Sequence, residues 1–115
     1  TLLGCEQRPT AMIFTNDWMA FGGMVQLQRQ CPGLDIPEAM SIIGQGNDHI
    51  CEESDPRLTT IDRRVGEKLE AALGLLADRI ETGRVEPLEK AIPARLVWRD
   101  SVGAAPSGRL AAGAS

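Results

Sequence analysis

Short apolar runs alternate along this chain with longer segments of helical periodicity, and that alternation restricts the possible folds most. Residues 11–15 and 40–44 have the unbroken apolar character of buried strands, and residues 58–61 are rich in β-branched side chains. Residues 18–30 and 63–82 place apolar side chains at helical spacing. Strands that alternate with helices predict an α/β fold built on a parallel sheet.

The rest of the chain is consistent with one domain over residues 1–101. A chain of 115 residues, 43% hydrophobic and 24% charged, can bury one core and has an ordinary globular composition. We predict a helix C-cap at Gly83 and a last strand over residues 91–98. The tail over residues 102–115 is rich in Ala, Gly, Ser and Pro, which predicts disorder.

The charge balance and the absence of membrane-targeting segments limit which functions are expected. The net charge is −4, from 12 basic and 16 acidic residues, so this segment lacks the basic surface that nucleic-acid binding needs. We see no run long enough to span a membrane and no signal peptide at the start, although upstream sequence could hide one.

Cysteine and histidine usage argues against a disulfide framework or a metal centre. The three cysteines, Cys5, Cys31 and Cys51, show no CxxC spacing, and His49 is the only histidine. A metal site built from His49, Cys51 and Glu52 is conceivable, but loop residues of these types usually lie near solvent. No metal and no cofactor are therefore expected.

Polar corners follow the first two predicted strands. Asn16 and Asp17 end the first strand, and residues 45–48, Gln-Gly-Asn-Asp, end the second. The carboxyl ends of parallel strands lie at one rim of the sheet, and ligands of α/β proteins bind beyond that rim. The two corners are therefore predicted to face one cleft.

Four segments resemble the LacI/GalR regulator family. Residues 8–22, RPTAMIFTNDWMAFG, resemble its stretch from an RPTA-like turn through a strand into N-D-x-x-A-x-G. Residues 35–44 resemble its x-I-P-x-D-I-S-V-V-G, residues 55–61 its x-P-P-L-T-T-I, and residues 95–101 its terminal x-L-V-x-R-x-S. The four landmarks also follow one another at the family's spacing.

The resemblance implies a periplasmic-binding-protein-like (type I) fold, in which an effector cleft separates two α/β subdomains behind a helix-turn-helix domain. Residues 1–101 then form part of the C-terminal effector-binding subdomain, with one cleft wall and much exposed apolar surface. The family implies a cytoplasmic, homodimeric regulator that binds a small sugar-like effector and contacts DNA only through an N-terminal headpiece missing from this chain.

Two alternatives stay open. The same fold serves periplasmic sugar-binding proteins of transporters, and a sensor domain of another regulator type is also possible. Residues 58–61 and 95–101 favour the LacI-type regulator because those strings resemble the repressors more than the transport proteins. No catalytic set is recognisable, since there is no Ser/His/Asp order and no glycine-rich phosphate loop, so we expect a non-enzyme.

The resemblance nominates ligand-binding residues at the first corner. Asn16 matches the family asparagine that hydrogen-bonds effector hydroxyls, and its amide offers donors and an acceptor. Its alternative role is a helix N-cap. Asp17 is a candidate beside it, with a cap or a structural hydrogen bond as the alternative. Trp18 could stack on a sugar ring or could be partly buried packing.

The second corner departs from the family pattern. Relatives commonly read G-[FY]-D-D, and Gly46 replaces the first aspartate. Asn47 or Asp48 could substitute for it and Gly46 could admit a bulkier ligand, although a plain turn fits equally well. Arg63 falls where many relatives place a polar residue facing the cleft, so it could bind an anionic effector; the alternative is a solvated arginine in the first helical turn.

A dimer face is also implied by the resemblance. Phe21, the helix that it begins, and residues 50–57 are the candidates for that face. The alternative for Phe21 is a place in the core.

Overall fold

The structure is a computed structural model that describes residues 8–106. Its elements run in the order β1 (Ala11–Ile13), α1 (Asp17–Gln30), β2 (Ser41–Gln45), α2 (Ile50–Glu53), β3 (Thr59–Asp62), α3 (Val65–Thr82) and β4 (Arg95–Val97). The predicted alternation of strands and helices is confirmed. Within the described part of the chain, no helix is long and apolar enough to cross a membrane.

The four strands form one sheet in the order β1-β2-β3-β4. β1 and β2 are parallel neighbours, with Ala11 opposite Ser41, and β2 and β3 are parallel with Ile43 opposite Thr59. The predicted parallel pairing of the first two strands is therefore confirmed, and so is the α/β class.

The last strand differs from the expectation. It covers Arg95–Val97 instead of residues 91–98, and it pairs antiparallel with β3, with Thr60 opposite Val97. After α3 the chain returns to the rim at which β3 ends, because Arg95 pairs with Asp62 at the end of that strand. A strand that begins at this rim must run against its neighbour.

The ends of α1 follow from local sequence. Asn16 has extended backbone angles, and its Oδ1 accepts a hydrogen bond from the Met19 N–H at 2.8 Å, as an N-cap does. Asp17 places a carboxylate in the first turn, where the helix dipole favours negative charge. The helix ends at Gln30, close before Pro32, which lacks the N–H that a continuing helix would need.

α3 begins two residues later than predicted, at Val65 instead of residue 63. Arg64 has a left-handed conformation, with φ of 53°, and its N–H donates to Asp62 Oδ1 at 2.8 Å. The helix ends as expected at Gly83, which has φ of 67° and donates its N–H to the Arg79 carbonyl at 2.9 Å.

A short helix, which the sequence pattern does not predict, lies between β2 and β3. α2 is one turn long, and it buries Ile50 and Cys51 against the core. Four residues are too few to show helical periodicity, which explains why the pattern missed it.

The core lies between α1, α2 and one face of the sheet. Its largest completely buried apolar side chains come from α1, the connection before β2, β2 itself and the connection before β3. The buried apolar residues are Ala20, Met24, Leu27, Leu34, Met40, Ile42, Ile50, Cys51 and Leu58. This core holds the carboxyl ends of β1 and β2 in a fixed relation.

α3 contributes nothing to that core, since none of its residues is buried. Its apolar stripe is open to solvent, with Leu69 59%, Leu73 65%, Leu76 55% and Ile80 75% exposed. The expectation of extensive exposed apolar surface is confirmed, and α3 carries much of it.

The predicted tail begins in contact with the sheet. The Gly103 N–H donates to Ser41 Oγ at 3.1 Å, so backbone near the start of residues 102–115 lies beside β2. Residues 107–115 and Cys5 lie outside the described residues.

Replacing exposed leucines of α3 should leave the stability of the sheet unit unchanged. For Leu73→Glu with Leu76→Lys in the 115-residue chain, we expect the free energy of unfolding to change by less than about 0.5 kcal/mol, because surface sites tolerate substitution. Dye binding and light scattering should both fall, since an exposed apolar patch is removed.

The matched control is Leu58→Ala, which empties a completely buried site and should cost about 2–5 kcal/mol. Urea unfolding followed by circular dichroism measures both. A comparable loss in the α3 variant would show that its stripe is packed.

Candidate functional site

The two predicted corners lie at one rim of the sheet, and a buried carboxylate joins them. Asp17 is 1% exposed. Its Oδ2 accepts a hydrogen bond from the Asp48 N–H at 2.7 Å, and its Oδ1 accepts one from the Thr60 hydroxyl at 2.6 Å. One side chain therefore connects the start of α1 to the turn after β2 and to β3.

Two glycines make room for this carboxylate. A Cβ on Gly44 would lie 2.3 Å from Asp17 Oδ1, a distance that side-chain atoms do not tolerate. Gly46 has φ of 131°, a conformation that favours glycine, and a Cβ there would lie 3.3 Å from Asp17 Oδ2. The Gly-Gln-Gly spacing therefore fits the close approach of α1 to the second corner.

Asn16 has the capping role, one of the two roles that the sequence left open. Its Oδ1 caps α1, as described above. Its side chain is exposed, and no acceptor within residues 8–106 bonds its Nδ2. The amide donors of Asn16 are therefore available to a ligand while its oxygen holds the helix.

Trp18 lies across the rim toward the second corner. Its Nε1 donates to Asp48 Oδ2 at 3.1 Å, and 51% of the residue is exposed. Its ring makes edge contacts with Phe21, at a centroid distance of 6.4 Å, and with His49 at 5.6 Å. The hydrogen bond and the ring contacts hold an exposed aromatic surface beside the corner.

The carboxylate of Asp48 is held ionised. Desolvation raises its pKa, but the hydrogen bond from Trp18 and the neighbouring His49 outweigh that effect and hold the pKa below its usual value. The His49 Nδ1 lies 2.5 Å from Asp48 Oδ1. Asp48 therefore contributes negative charge at the rim, next to an aromatic ring.

The amide of Asn47 is engaged within the protein. Its Oδ1 accepts a hydrogen bond from Arg99 Nη2 at 2.9 Å, and its Nδ2 donates to Asp62 Oδ2 at 3.4 Å. Asn47 has φ of 58°, which asparagine tolerates better than most residues. This amide stabilises the turn between β2 and α2.

Asp62 connects that turn to the segments flanking α3. The backbone N–H of Arg64 lowers the pKa of Asp62 most; partial desolvation raises it, and Arg95 lowers it further. The Arg95 guanidinium lies 3.0 Å from Asp62 Oδ2. The connection before α3 and the first residue of β4 therefore meet at one carboxylate.

Arg63 and Phe21 occupy the periphery of this rim. Arg63 lies in the connection between β3 and α3 with an exposed side chain, and does not lie inside the first turn of the helix. Phe21 is half-buried on α1 and contacts the Trp18 ring.

A groove of about 650 Å³ lies apart from the corners, between α3 and residues 90–93. Arg64, Glu67 and Lys90 are among its lining residues. None of the residues that we nominated as ligand-binding lines it, so the corners and the groove are separate features.

Within residues 8–106, no group of three or more His, Cys, Asp or Glu side chains could hold a metal ion. Burial, with Asp17 nearby, raises the pKa of the Cys51 thiol to about 12. Cys51 therefore stays a neutral thiol packed in the core.

Sequence reasoning missed three residues at the rim: Thr60, Asp62 and Arg99. Thr60 and Arg99 lie in segments that we quoted for their resemblance, yet nothing local in those strings shows what their side chains contact. Arg99 meets Asn47 across 52 positions of sequence. Such a contact becomes visible only when the strand order is known.

Comparisons with known proteins agree with the fold. The family profile of the periplasmic binding protein-like domain matches residues 2–102. The HTH-type transcriptional repressor PurR of Vibrio cholerae is 38% identical over 104 residues, covering 88% of this chain and 30% of the relative. The chain thus spans about 30% of the length of this relative.

Solved structures of LacI family transcriptional regulators are similar as well. One from Bifidobacterium animalis superposes with a TM-score of 0.78 at 34% identity, covering 93% of this chain and 38% of that one. Another, from Enterococcus faecium with bound ribose, gives a TM-score of 0.74 at 38% identity, covering 91% of this chain and 37% of that one.

Removal of the Asp17 carboxylate should destabilise the whole rim. We expect Asp17→Ala to lower the free energy of unfolding by about 2–4 kcal/mol, because it leaves the part-buried Asp48 N–H and the buried Thr60 hydroxyl without their acceptor. Glu53→Ala, which removes an exposed carboxylate, is the matched control and should change stability by less than about 0.5 kcal/mol. Urea titration measures both, and equal stabilities would contradict the role given to Asp17.

Proposed function

Because this chain belongs to the periplasmic binding protein-like domain family and is part of a LacI/GalR-type effector-binding domain, we propose that it senses a small sugar-like effector for a DNA-binding transcriptional regulator. The observation that carries the proposal is the rim where Trp18 donates to Asp48, close in sequence to the exposed amide of Asn16. It offers free amide donors, an exposed aromatic face and a carboxylate, which together suit a polyhydroxylated ligand.

The proposed site divides into residues that contact the effector and residues that hold them. Asn16, Trp18 and Asp48 present groups at the rim, with the backbone of Gly46 between the corners and Arg63 at the periphery. Asp17 and Asn47 are assigned the supporting role, because their polar atoms bond to other parts of the protein. A relative in this family was solved with ribose, so D-ribose is the first effector to test.

Contact with DNA is assigned to another part of the protein. The relatives are transcriptional repressors, and PurR is described as HTH-type. The net charge of −4 makes this segment a poor partner for phosphate backbones. We accordingly propose that an N-terminal headpiece outside these 115 residues reads the operator, that the protein acts in the cytoplasm, where its DNA target lies, and that it catalyses no reaction.

We also propose a homodimer with Phe21 in its interface. Ala20, Met24 and Leu27 of α1 are buried in the core, whereas Phe21 is half-exposed beside the exposed Trp18 ring. Aromatic side chains at the centre of an interface commonly supply much of its binding energy.

Asn16 can be tested for binding separately from its capping role. Asn16→Ser keeps an N-cap oxygen but removes the amide donors, so stability should be retained while D-ribose affinity falls by about tenfold, equivalent to about 1.4 kcal/mol. Asn16→Ala should lose the same affinity and, in addition, about 1 kcal/mol of stability. Calorimetric titration of the complete protein and melting curves measure the two effects. Wild-type affinity in Asn16→Ser would leave Asn16 as a cap only.

Phe21 can be tested for dimerisation by sedimentation. Phe21→Lys should weaken the dimer by about tenfold or more, because a charge would be buried at the interface. Gln26→Lys places the same charge at an exposed position of the same helix and should leave the dimer intact. A lower melting temperature with unchanged dimerisation would instead place Phe21 in the core.

A further inference from the structure

Arg99 lies two residues after β4, and its side chain reaches past β3 to Asn47 in the second corner. The side chain is 10% exposed, so its charge is largely removed from water. Its Nη1 donates to the Leu58 carbonyl at 3.0 Å, and its Nη2 donates to Asn47 Oδ1 at 2.9 Å. A buried guanidinium is costly unless such partners compensate its lost hydration.

The backbone of Arg99 is also hydrogen-bonded, and a carboxylate lies near its charge. Its N–H donates to the Thr59 hydroxyl at 3.0 Å, and Glu52 Oε1 lies 3.7 Å from its Nη2. The root of the side chain is therefore fixed to β3, and its planar end lies between α2 and the turn that follows β2. A lysine could not reproduce this arrangement, because an ammonium lacks the fork that serves two acceptors at fixed angles.

Asn47 transmits this anchoring to the rim. The amide of Asn47 lies between Arg99 on one side and Asp62 on the other, which holds the left-handed turn. The next residue, Asp48, donates its N–H to Asp17 and accepts from Trp18 Nε1. A displacement of Asn47 therefore moves Asp48 and disturbs its hydrogen bonds with Asp17 and Trp18.

We propose that Arg99 is a positioning residue of the effector site, which sets the geometry of the Trp18–Asp48 pair through Asn47. The inference rests on the proposed function, because it assumes that this pair meets the effector. It assigns Arg99 a role in affinity without any contact with the ligand.

The test compares Arg99→Met and Arg99→Lys in the complete protein with a matched control, Arg57→Met. Arg57 pairs with Asp100 at 2.7 Å, its side chain is 58% exposed, and it makes no contact with Asn47. Hydrogen exchange of amides 46–48 reports the order of the turn, exchange of amides 24–28 in α1 reports general stability, and calorimetry with D-ribose as the probe reports binding.

In Arg99→Met we expect exchange at 46–48 to accelerate by about tenfold while α1 exchange is unchanged, because the turn opens locally. D-Ribose affinity should fall by about tenfold, with Arg99→Lys intermediate and Arg57→Met within about twofold of wild type. Unchanged exchange at 46–48, or acceleration that α1 shares, would overturn the proposal.

A second variant keeps the test decisive if Arg99→Met does not fold. Asn47→Gly accommodates the left-handed backbone and removes the acceptor of Arg99, so it should produce the same local exchange. If wild type gives no heat with D-ribose, the sugar assignment of the proposed function fails. The exchange measurement then still decides whether Arg99 orders the turn.

Discussion

The rim of this protein depends on one buried carboxylate. Asp17 is the first residue of α1, and its two oxygens accept from the Asp48 backbone and the Thr60 hydroxyl, so the start of α1, the turn after β2 and β3 meet at one side chain. A buried carboxylate is stable only when hydrogen bonds replace its hydration. Because one bond comes from the turn after β2 and the other from β3, this interaction fixes the start of α1 against both, and two glycines make space for it.

The parts of the fold that could be predicted depend on local sequence. The strand predicted over residues 40–44, the Asn16 cap and the Gly83 C-cap each follow from neighbouring residues; both caps are present, and the strand is present one residue later, as Ser41–Gln45. The direction of β4 is set instead by where the chain returns after α3, and α2 is a single turn stabilised by burial. Both depend on tertiary structure, so the sequence pattern could not reveal either.

Part of the candidate site could likewise be predicted from the sequence, and part could not. Asn16 and the second corner could be placed at one rim because parallel strands end together. The engagement of Asn47 by Arg99 and Asp62 could not, because the contacts cross 52 and 15 positions of sequence and depend on strand order. Asn16 and Asp48, which we propose to bind, are of the same residue types as Asn47 and Asp17, which we propose to support them, so composition alone does not separate the two groups.

The buried carboxylate of Asp17 restricts which residue can stand at position 46. In the family pattern an aspartate stands at this position. Here the backbone has φ of 131°, and a side chain would place its Cβ 3.3 Å from Asp17 Oδ2. A second carboxylate at this point would add backbone strain and like-charge repulsion beside a buried anion. Asp48 already supplies a negative charge two residues later, held by Trp18. The corner therefore combines a glycine turn at Gly46 with a carboxylate two positions later, at Asp48.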